Sequence, residues 1–245
     1  MYCDLKNKTA IITGAGAGIG RAVAIRFAQE GMNIVLCGRT QSKLEETQKQ
    51  LQQYGVKSLI ITGNLREMDY LQEIIDKSVE AFGGIDVLIN NAGETFVRRV
   101  EDSTLEDFKR IMQTNFRAPY FLCQYAIPHL KKSDCPCIIN VASVAGHRGD
   151  PLESIYSSSK HALYGFTSCL AQDLDEYGIR AYIFAPGGMD TDMIRQRRPE
   201  KSDFSDYMKP EEIAELLTFW VRFRNNTVVD EIKARRVGKA PFSEL

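Results

Sequence analysis

Residues 8–27 read KTAIITGAGAGIGRAVAIRF. The first five form a short run rich in β-branched residues, and a glycine-rich segment follows at once. Beyond it Ile19, Val23 and Phe27 recur every four residues, which is the spacing of the buried stripe of a helix. This stretch predicts a buried strand, a tight turn and a helix that packs back on the strand.

The same alternation of strand and helix patterns continues along the whole chain, without a low-complexity linker or a repeat. Most of the predicted strands are apolar throughout, as strands covered on both faces are. They lie at 8–12, 33–37, 58–62, 86–90, 137–142, 180–184 and 227–232. Segments of helical period lie at 18–30, 41–54, 67–82, 104–131, 152–177 and 210–222. The pattern predicts parallel βαβ units in an α/β fold, as one domain over residues 1–245.

The composition excludes several classes of partner. The chain has 245 residues, of which 31 are basic and 32 acidic, and its formal net charge of -1 gives no electrostatic reason to expect a nucleic acid or an anionic membrane. No apolar run approaches the ~20 residues that span a bilayer, and the N-terminus has no signal-peptide core. We therefore expect a cytoplasmic protein without a nucleic-acid or membrane partner.

The cysteines and histidines predict neither a disulfide framework nor a metal site. Six cysteines are scattered along the chain, at positions 3, 37, 123, 135, 137 and 169, several of them in apolar runs. Reduced, buried thiols are the expected state of such residues in the cytoplasm. Cys135 and Cys137 form the one close pair, and the three histidines are dispersed, so partners for a metal ion are missing.

The glycine-rich turn is the first candidate ligand site. Gly14, Gly18 and Gly20 allow a tight turn and a close approach of the backbone to a ligand. A phosphate would fit the N-terminus of the following helix, where free N–H groups and the helix dipole favour negative charge. A strict G-x-G-x-x-G does not fit the string, so a tight turn without a ligand remains the alternative.

The end of the second strand bears on the choice of ligand. An acidic residue there usually binds the ribose of NAD, but the sequence LCGRT at 36–40 offers Gly38 and Arg39 instead. Arg39 could pair with the 2′-phosphate of NADP(H) through its planar guanidinium. The alternatives are that Arg39 is a solvated loop charge and that NAD(H) is bound.

Tyr156 and Lys160 lie four positions apart in a helical segment, so their side chains share one face. A free tyrosine has a pKa of ~10, and a nearby ammonium group favours the phenolate and lowers that pKa. The pair is therefore a candidate acid/base. The alternative is an exposed amphipathic pair with no chemical role.

Six motifs in register resemble the short-chain dehydrogenase/reductase family, and within it the 3-oxoacyl-(acyl-carrier-protein) reductases. The resemblance covers the chain from about residue 5 to 192. The motifs are TGAGAGIG at 13–20, NNAG at 90–93, Asn115 in QTNF, Ser143 in NVAS, YSSSK at 156–160, and Pro186-Gly187 followed by Thr191. The resemblance implies a single-domain doubly wound Rossmann fold, in which a nicotinamide cofactor lies across the carboxyl ends of a seven-stranded parallel sheet flanked by helices.

The resemblance also assigns four catalytic residues. Tyr156 donates a proton to the carbonyl oxygen in reduction, and Lys160 lowers the pKa of Tyr156 and binds the nicotinamide ribose. Ser143 holds the substrate oxygen, and Asn115 anchors a water that links Lys160 to solvent. Taken alone, Ser143 is equally a serine that starts a loop, and Asn115 an exposed amide.

The same resemblance implies a set of cofactor contacts. Asn64 and Leu65 stand where relatives often have Asp-Val or Asp-Leu, and Asn64 can still accept a hydrogen bond from the adenine amine. The implied contacts are Gly14, Gly18, Ile19, Gly20, Arg39, Asn64, Leu65, Asn91, Ala92, Gly93, Tyr156, Lys160, Pro186, Gly187 and Thr191.

Two regions are less well defined by the sequence. The polar, turn-rich segment at about 188–209 corresponds to the family's substrate lid, and its basic residues either meet an anionic substrate or belong to a mobile loop: Arg195, Arg197, Arg198 and Lys201. The C-terminal segment lacks the V-D-G-G ending of many relatives, and its basic residues are interpreted as a solvated edge: Lys233, Arg235, Arg236 and Lys239. Glu94, His147 and Arg148 are expected to flank the pocket.

These observations predict an NADPH-dependent oxidoreductase that reduces a ketone or a 3-oxoacyl carbonyl to a secondary alcohol, without a metal. NAD-dependent oxidation of a secondary alcohol is one alternative. A non-catalytic cofactor-binding sensor or scaffold is an alternative of another class. The resemblance implies a homotetramer or homodimer formed through helices 104–131 and 152–177.

Overall fold

A computed structural model describes residues 2–197 and 200–239, and within these ranges seven strands form one parallel sheet. The strands are β1 (Thr9–Thr13), β2 (Asn33–Gly38), β3 (Ser58–Thr62), β4 (Val87–Asn90), β5 (Cys137–Val141), β6 (Arg180–Pro186) and β7 (Glu231–Ala234). Their order is β3-β2-β1-β4-β5-β6-β7. The chain thus runs outward from β1 in one direction and from β4 in the other, which makes the sheet doubly wound. The predicted fold class is confirmed.

The described helices cover both faces of this sheet. They are α1 (Gly18–Gln29), α2 (Gln41–Leu51), α3 (Met68–Phe82), α4 (Leu105–Met112), α5 (Ala118–Leu130), α6 (Ser154–Asp175), α7 (Asp192–Arg197) and α8 (Pro210–Arg222). Successive residues of β1 show the two-sided burial: Ile12 packs in the cluster with α1 and α8, and Ile11 in the cluster with α3 and α5. Because both faces are buried, the strands are apolar throughout rather than alternating.

The predicted helix 104–131 is not continuous. A π-helical turn, Gln113–Arg117, separates α4 from α5 and contains the buried Asn115. Pro119 lies four residues after Asn115 and has no backbone N–H, so the carbonyl of Asn115 loses its ordinary α-helical partner. Proline explains the break, and π turns of this kind occur often at functional sites.

The last strand was predicted at 227–232 but is β7, Glu231–Ala234. The β-branched residues Val228 and Val229 favoured the earlier start, yet both are at least 40% exposed. The backbone carbonyl of Val229 instead accepts a hydrogen bond from the Trp220 indole at 2.6 Å. Pairing with β6 begins only at Glu231, which lies opposite Ile183. Tertiary contacts therefore override the local β propensity.

The expectation of reduced cysteines is wrong for one pair. Cys3 and Cys135 form a disulfide in the structure, with Cα atoms 6.5 Å apart and a sequence separation of 132. The N-terminal segment is also attached to the end of α8, where the backbone N–H of Cys3 donates to the carbonyl of Arg222. Sequence spacing gives no sign of this proximity. The remaining cysteines are free. Cys37, Cys123 and Cys137 are buried, and Cys169 is exposed.

Within the described ranges, none of the helices combines the length and the apolar character that crossing a membrane requires. Arg198 of the predicted basic cluster and residues 240–245 of the predicted domain lie outside these ranges.

Trp220 provides a test of how α8 is held on the sheet. Its ring stacks on Tyr182 of β6 at 4.4 Å between centroids and is 1% exposed. We expect Trp220→Ala to lower the free energy of unfolding by about 3–5 kcal/mol, because it leaves a large cavity in the core. The neighbouring Phe219 is 49% exposed, so Phe219→Ala should cost about 1 kcal/mol. Urea denaturation of both variants checks this, and equal losses would contradict the packing described.

Candidate active site

A cavity of about 470 Å³ opens at the carboxyl ends of the strands. Segments that follow β1, β2, β3, β4, β5 and β6 all contribute to its lining. In open parallel sheets this edge is where ligands bind, at the point where the strand order reverses. Here that point lies between β1 and β4.

The glycine-rich turn forms the floor of the cavity near β1. Gly14 has a φ of +68°, and a Cβ at Gly20 would lie 2.3 Å from the carbonyl oxygen of Gly14. Only a residue without a side chain permits this approach, which brings the first turn of α1 over the end of β1. The N-cap residue Ala17 supplies no side-chain hydrogen bond, and the first turn of α1 contains no acidic residue. The N–H groups of this turn therefore suit an anion such as a pyrophosphate.

The segment after β4 is pinned to β1. The Thr13 hydroxyl accepts hydrogen bonds from the backbone N–H groups of Asn91 and Ala92, both at 3.0 Å. The Asn91 side chain in turn donates to the carbonyl of Thr13 at 2.9 Å. As a result Ala92 and Gly93 face the cavity, as the resemblance implied for the NNAG motif.

Arg39 follows β2, and Asn64 and Leu65 follow β3; all three line the cavity on this side of the sheet. The Arg39 guanidinium is 61% exposed and donates to the Glu94 carboxylate at 2.8 Å. Asn64 accepts from the backbone N–H of Arg66 at 3.2 Å. All three predicted residues are thus at the cavity, and Arg39 already has an ionic partner there.

Ser143, Tyr156 and Lys160 lie together where β5 meets α6, and all three line the cavity. Ser143 follows β5 and caps a short 3₁₀ turn, its hydroxyl accepting from the N–H of Ala145 at 3.2 Å. Lys160 is 4% exposed and donates to the carbonyl of Val141 at 2.9 Å. Its Nζ lies 5.9 Å from the centroid of the Tyr156 ring. The helical spacing of Tyr156 and Lys160 therefore places both beside Ser143.

The direction predicted for the Tyr156 pKa is wrong in this structure. Burial raises the pKa of Tyr156, a hydrogen bond with Ser143 partly opposes this, and the charge of Asp150 adds to the increase. Lys160, whose Nζ lies 5.9 Å from the centroid of the Tyr156 ring, does not offset this increase in the pKa of Tyr156. Burial lowers the pKa of Lys160 to about 8, so its charge is only partly retained in mildly alkaline solution.

Asn115 does not line the cavity but lies behind it, completely buried. Its Oδ1 accepts from the backbone N–H of Glu94 at 2.8 Å, and its Nδ2 donates to the Glu94 carbonyl at 2.9 Å. Nδ2 also lies 3.1 Å from the Ser159 hydroxyl. A Cβ added to Gly93 would lie 3.5 Å from Asn115 Oδ1 and 3.6 Å from Lys160 Nζ. Asn115 thus joins the segment after β4 to α6, directly behind Gly93.

The other predicted contacts divide into two groups. Gly20 supports the turn from beneath and is not part of the cavity lining, as the close approach to Gly14 explains. The remainder line the cavity, namely Gly14, Gly18, Ile19, Pro186, Gly187 and Thr191.

One expectation about charged residues needs correction. Arg236 was interpreted as part of a solvated edge, but it lines the cavity with Lys239. The chain beyond β7 emerges beside the end of β6, because the two strands are parallel neighbours. Glu94 and Arg148 do line the cavity, as expected. His147 does not line the cavity itself but lies between the lining residues Ala145 and Arg148, with its Nε2 2.6 Å from the Glu231 carboxylate and its ring against Tyr164.

Several residues that line the cavity lie outside the sequence motifs. Asp150 and Glu153 lie in the segment between β5 and α6, and the Glu153 side chain is almost fully buried. Their position just before the helix that carries Tyr156 was a usable signal. Tyr207, by contrast, is placed by Arg236, whose guanidinium lies 4.0 Å from its ring centroid. No sequence pattern connects two residues so far apart.

Comparisons with known proteins agree with this arrangement. A family model described as short chain dehydrogenase matches residues 8–202. The chain therefore belongs to the short-chain dehydrogenase family, and it is an oxidoreductase. It is 38% identical over 200 residues to General stress protein 39 of Bacillus subtilis, an alignment that covers 81% of this chain and 69% of that protein.

Two solved structures are similar over nearly the whole chain. One is an alcohol dehydrogenase from the archaeon Thermococcus sibiricus complexed with 5-hydroxy-NADP, with a TM-score of 0.87 and 27% identity, covering 96% of this chain and 98% of that one. The other is a short chain dehydrogenase from Burkholderia cenocepacia in complex with NADP, with a TM-score of 0.86 and 29% identity, covering 94% and 97%. The family and the cavity together support binding of a nicotinamide cofactor.

The buried Lys160 predicts a specific pH dependence of stability. Its pKa is about 8 in the folded protein against an ordinary value of 10.5, so between these values the unfolded chain binds more protons. Titration of Lys160 therefore increases the free energy of unfolding as the pH rises from about 8 to 10.5. The increase is at most about 1.4 kcal/mol per pH unit. Urea denaturation of the cofactor-free protein and of Lys160→Met between pH 7 and 10 should show a difference that grows with pH. Parallel curves would contradict the burial of a titrating ammonium.

Proposed function

We propose that the protein is an NADPH-dependent reductase that converts a carbonyl group, of the ketone or 3-oxoacyl type, to a secondary alcohol. One observation carries this proposal: Ser143, Tyr156 and Lys160 line the same cavity as the glycine-rich turn. A cofactor anchored by its phosphates at that turn can extend toward these three side chains. When bound, the reduced nicotinamide would supply the hydride.

The site residues then have separable roles in the proposal. The raised pKa of Tyr156 keeps its hydroxyl protonated at neutral pH, which suits a proton donor to the carbonyl oxygen. Ser143, hydrogen-bonded to Tyr156, orients the same oxygen. Lys160, with its Nζ 5.9 Å from the centroid of the Tyr156 ring, is proposed to bind the nicotinamide ribose and to stabilise the phenolate once the cofactor is in place.

Asn115 is proposed to act through others in proton replacement. Its side-chain amide is committed to Glu94 and Ser159. Its backbone carbonyl lacks an α-helical donor because position 119 is proline. That carbonyl is the group we expect to hold the water that connects Lys160 to solvent.

Arg39 is the proposed source of NADPH preference. No carboxylate follows directly at the end of β2, and the Arg39 side chain lies at the cavity. Planar guanidinium groups bind phosphate oxygens through paired hydrogen bonds. The two similar structures described above contain NADP or a derivative of it, which is consistent with this assignment.

NAD-dependent oxidation of a secondary alcohol is the second candidate, and one observation favours it. Arg39 is held by Glu94 at 2.8 Å rather than free to meet a phosphate. The hypothesis of a non-catalytic sensor has no comparable support, since Asn115, Ser143, Tyr156 and Lys160 are all present.

The segment 188–209 is proposed as the substrate lid. Its residues Gly188, Met189 and Tyr207 line the cavity.

We also propose that the protein is a homodimer or homotetramer, built through α4, α5 and α6. Large apolar side chains are exposed on and near these helices: Val100 at 70%, Leu105 at 68%, Phe108 at 47% and Tyr120 at 39%. Apolar patches of this kind mark interaction surfaces. Sedimentation velocity should show a dimer or a tetramer, and a stable monomer would overturn this assignment.

The role of Tyr156 is tested by Tyr156→Phe, which removes the hydroxyl and keeps the ring. We expect turnover to fall about 100-fold or more on whichever ketone or 3-oxo ester the wild-type protein reduces fastest. The dissociation constant of NADPH, measured by nicotinamide fluorescence, should change little. Tyr164→Phe is the matched control on the same helix, because its hydroxyl bonds Glu231 outside the cavity. Unchanged turnover in Tyr156→Phe would refute the proposed function.

A further inference from the structure

We propose that Glu94 weakens the preference for NADPH over NADH by competing with the 2′-phosphate for the Arg39 guanidinium. The inference rests on the proposed function, in which Arg39 recognises that phosphate. It assigns a role in cofactor choice to a residue that follows β4, away from the end of β2 where this choice is usually made.

The carboxylate of Glu94 is fixed in place. Asn115 holds the backbone of Glu94 from both sides, through the 2.8 Å and 2.9 Å hydrogen bonds. The second carboxylate oxygen accepts from Arg110 at 2.6 Å, and the side chain is 14% exposed. Because backbone and side chain are both held, a ligand cannot easily displace this carboxylate.

Arg39 is the more exposed member of the pair. Its side chain is 61% exposed, and long exposed side chains retain much of their rotamer freedom. Binding of a phosphate must therefore draw the guanidinium away from Glu94 or share it with Glu94.

The ion pair spans the position where the cofactor would lie. Arg39 follows β2 and Glu94 follows β4, and β1 lies between these two strands in the sheet. The contact therefore passes over the carboxyl end of β1, where the Gly14 turn begins. Both residues line the cavity, so a ligand in this part of it meets a carboxylate as well as a guanidinium.

The two cofactors respond differently to that carboxylate. A 2′-phosphate is repelled by it, and Arg110 compensates the charge at only one of the two oxygens. The 2′-hydroxyl of NADH can donate a hydrogen bond to a carboxylate. Glu94 should therefore oppose NADPH while it tolerates or assists NADH.

The test is Glu94→Gln, which keeps the shape of the side chain and removes its charge. Titration of the purified protein with NADPH and with NADH, followed by nicotinamide fluorescence at fixed low ionic strength, gives both dissociation constants. We expect the dissociation constant of NADPH to fall about 3- to 10-fold. The dissociation constant of NADH should stay constant or rise. Glu101→Gln is the charge-matched control, because Glu101 is 68% exposed and lies outside the cavity lining.

Arg39→Gln and the double variant separate this inference from the proposed function. If Arg39→Gln weakens NADPH selectively but Glu94→Gln leaves NADPH binding unchanged or weaker, the role of Glu94 is overturned and the role of Arg39 stands. If Arg39→Gln leaves the ratio of the two dissociation constants unchanged, the NADPH assignment itself fails. A gain from Glu94→Gln that persists at full size in the double variant would contradict competition through Arg39.

Arg110→Gln provides a second test with the opposite sign. Removing Arg110 leaves the Glu94 carboxylate uncompensated, so NADPH binding should weaken about 2- to 5-fold. Thermal melting of each variant reports whether the fold is retained. If Glu94→Gln does not fold, Arg110→Gln carries the test, and unchanged or tighter NADPH binding would overturn the inference.

Discussion

The contact between the first turn of α1 and the end of β1 is the constraint on which the site depends. Gly20 has no Cβ, and a Cβ would lie 2.3 Å from the carbonyl oxygen of Gly14. This approach directs the uncapped N–H groups of α1 into the cavity at the reversal of strand order. The segment after β4 is attached to the same place through Thr13. The glycine-rich turn and the segment after β4 therefore share one edge of the sheet with Ser143, Tyr156 and Lys160.

Burial sets the chemistry at the other end of this edge. Because Tyr156 is desolvated, its pKa is raised and it holds its proton. Because Lys160 is desolvated as well, its pKa is lowered to about 8 and it can give up or regain a proton near physiological pH. The two shifts move the pKa values apart, so Tyr156 keeps its proton over a range in which Lys160 titrates. Asp150 contributes to this balance, although the motifs alone gave no role for it.

Much of the fold could be predicted from the sequence, because apolar strands and amphipathic helices reflect burial on both faces of the sheet. Ser143, Tyr156 and Lys160 could be predicted as well, since their strand end and helical spacing determine where they lie. What failed depends on contacts between distant segments. The Cys3–Cys135 disulfide, the pairing of Arg39 with Glu94 and the entry of Arg236 into the cavity each join residues that no local pattern connects. The start of β7 was misplaced for the same reason, because pairing with β6 rather than propensity decides it.

A crystal structure of the protein with NADPH tests the central claim most directly, namely that one cavity at the carboxyl edge of the sheet joins phosphate binding to Tyr156 chemistry. The account predicts that the cofactor occupies this cavity, with its pyrophosphate at the N-terminus of α1 and its nicotinamide ring beside Ser143 and Tyr156. Cofactor density outside the cavity, or a nicotinamide ring remote from Tyr156, would contradict it.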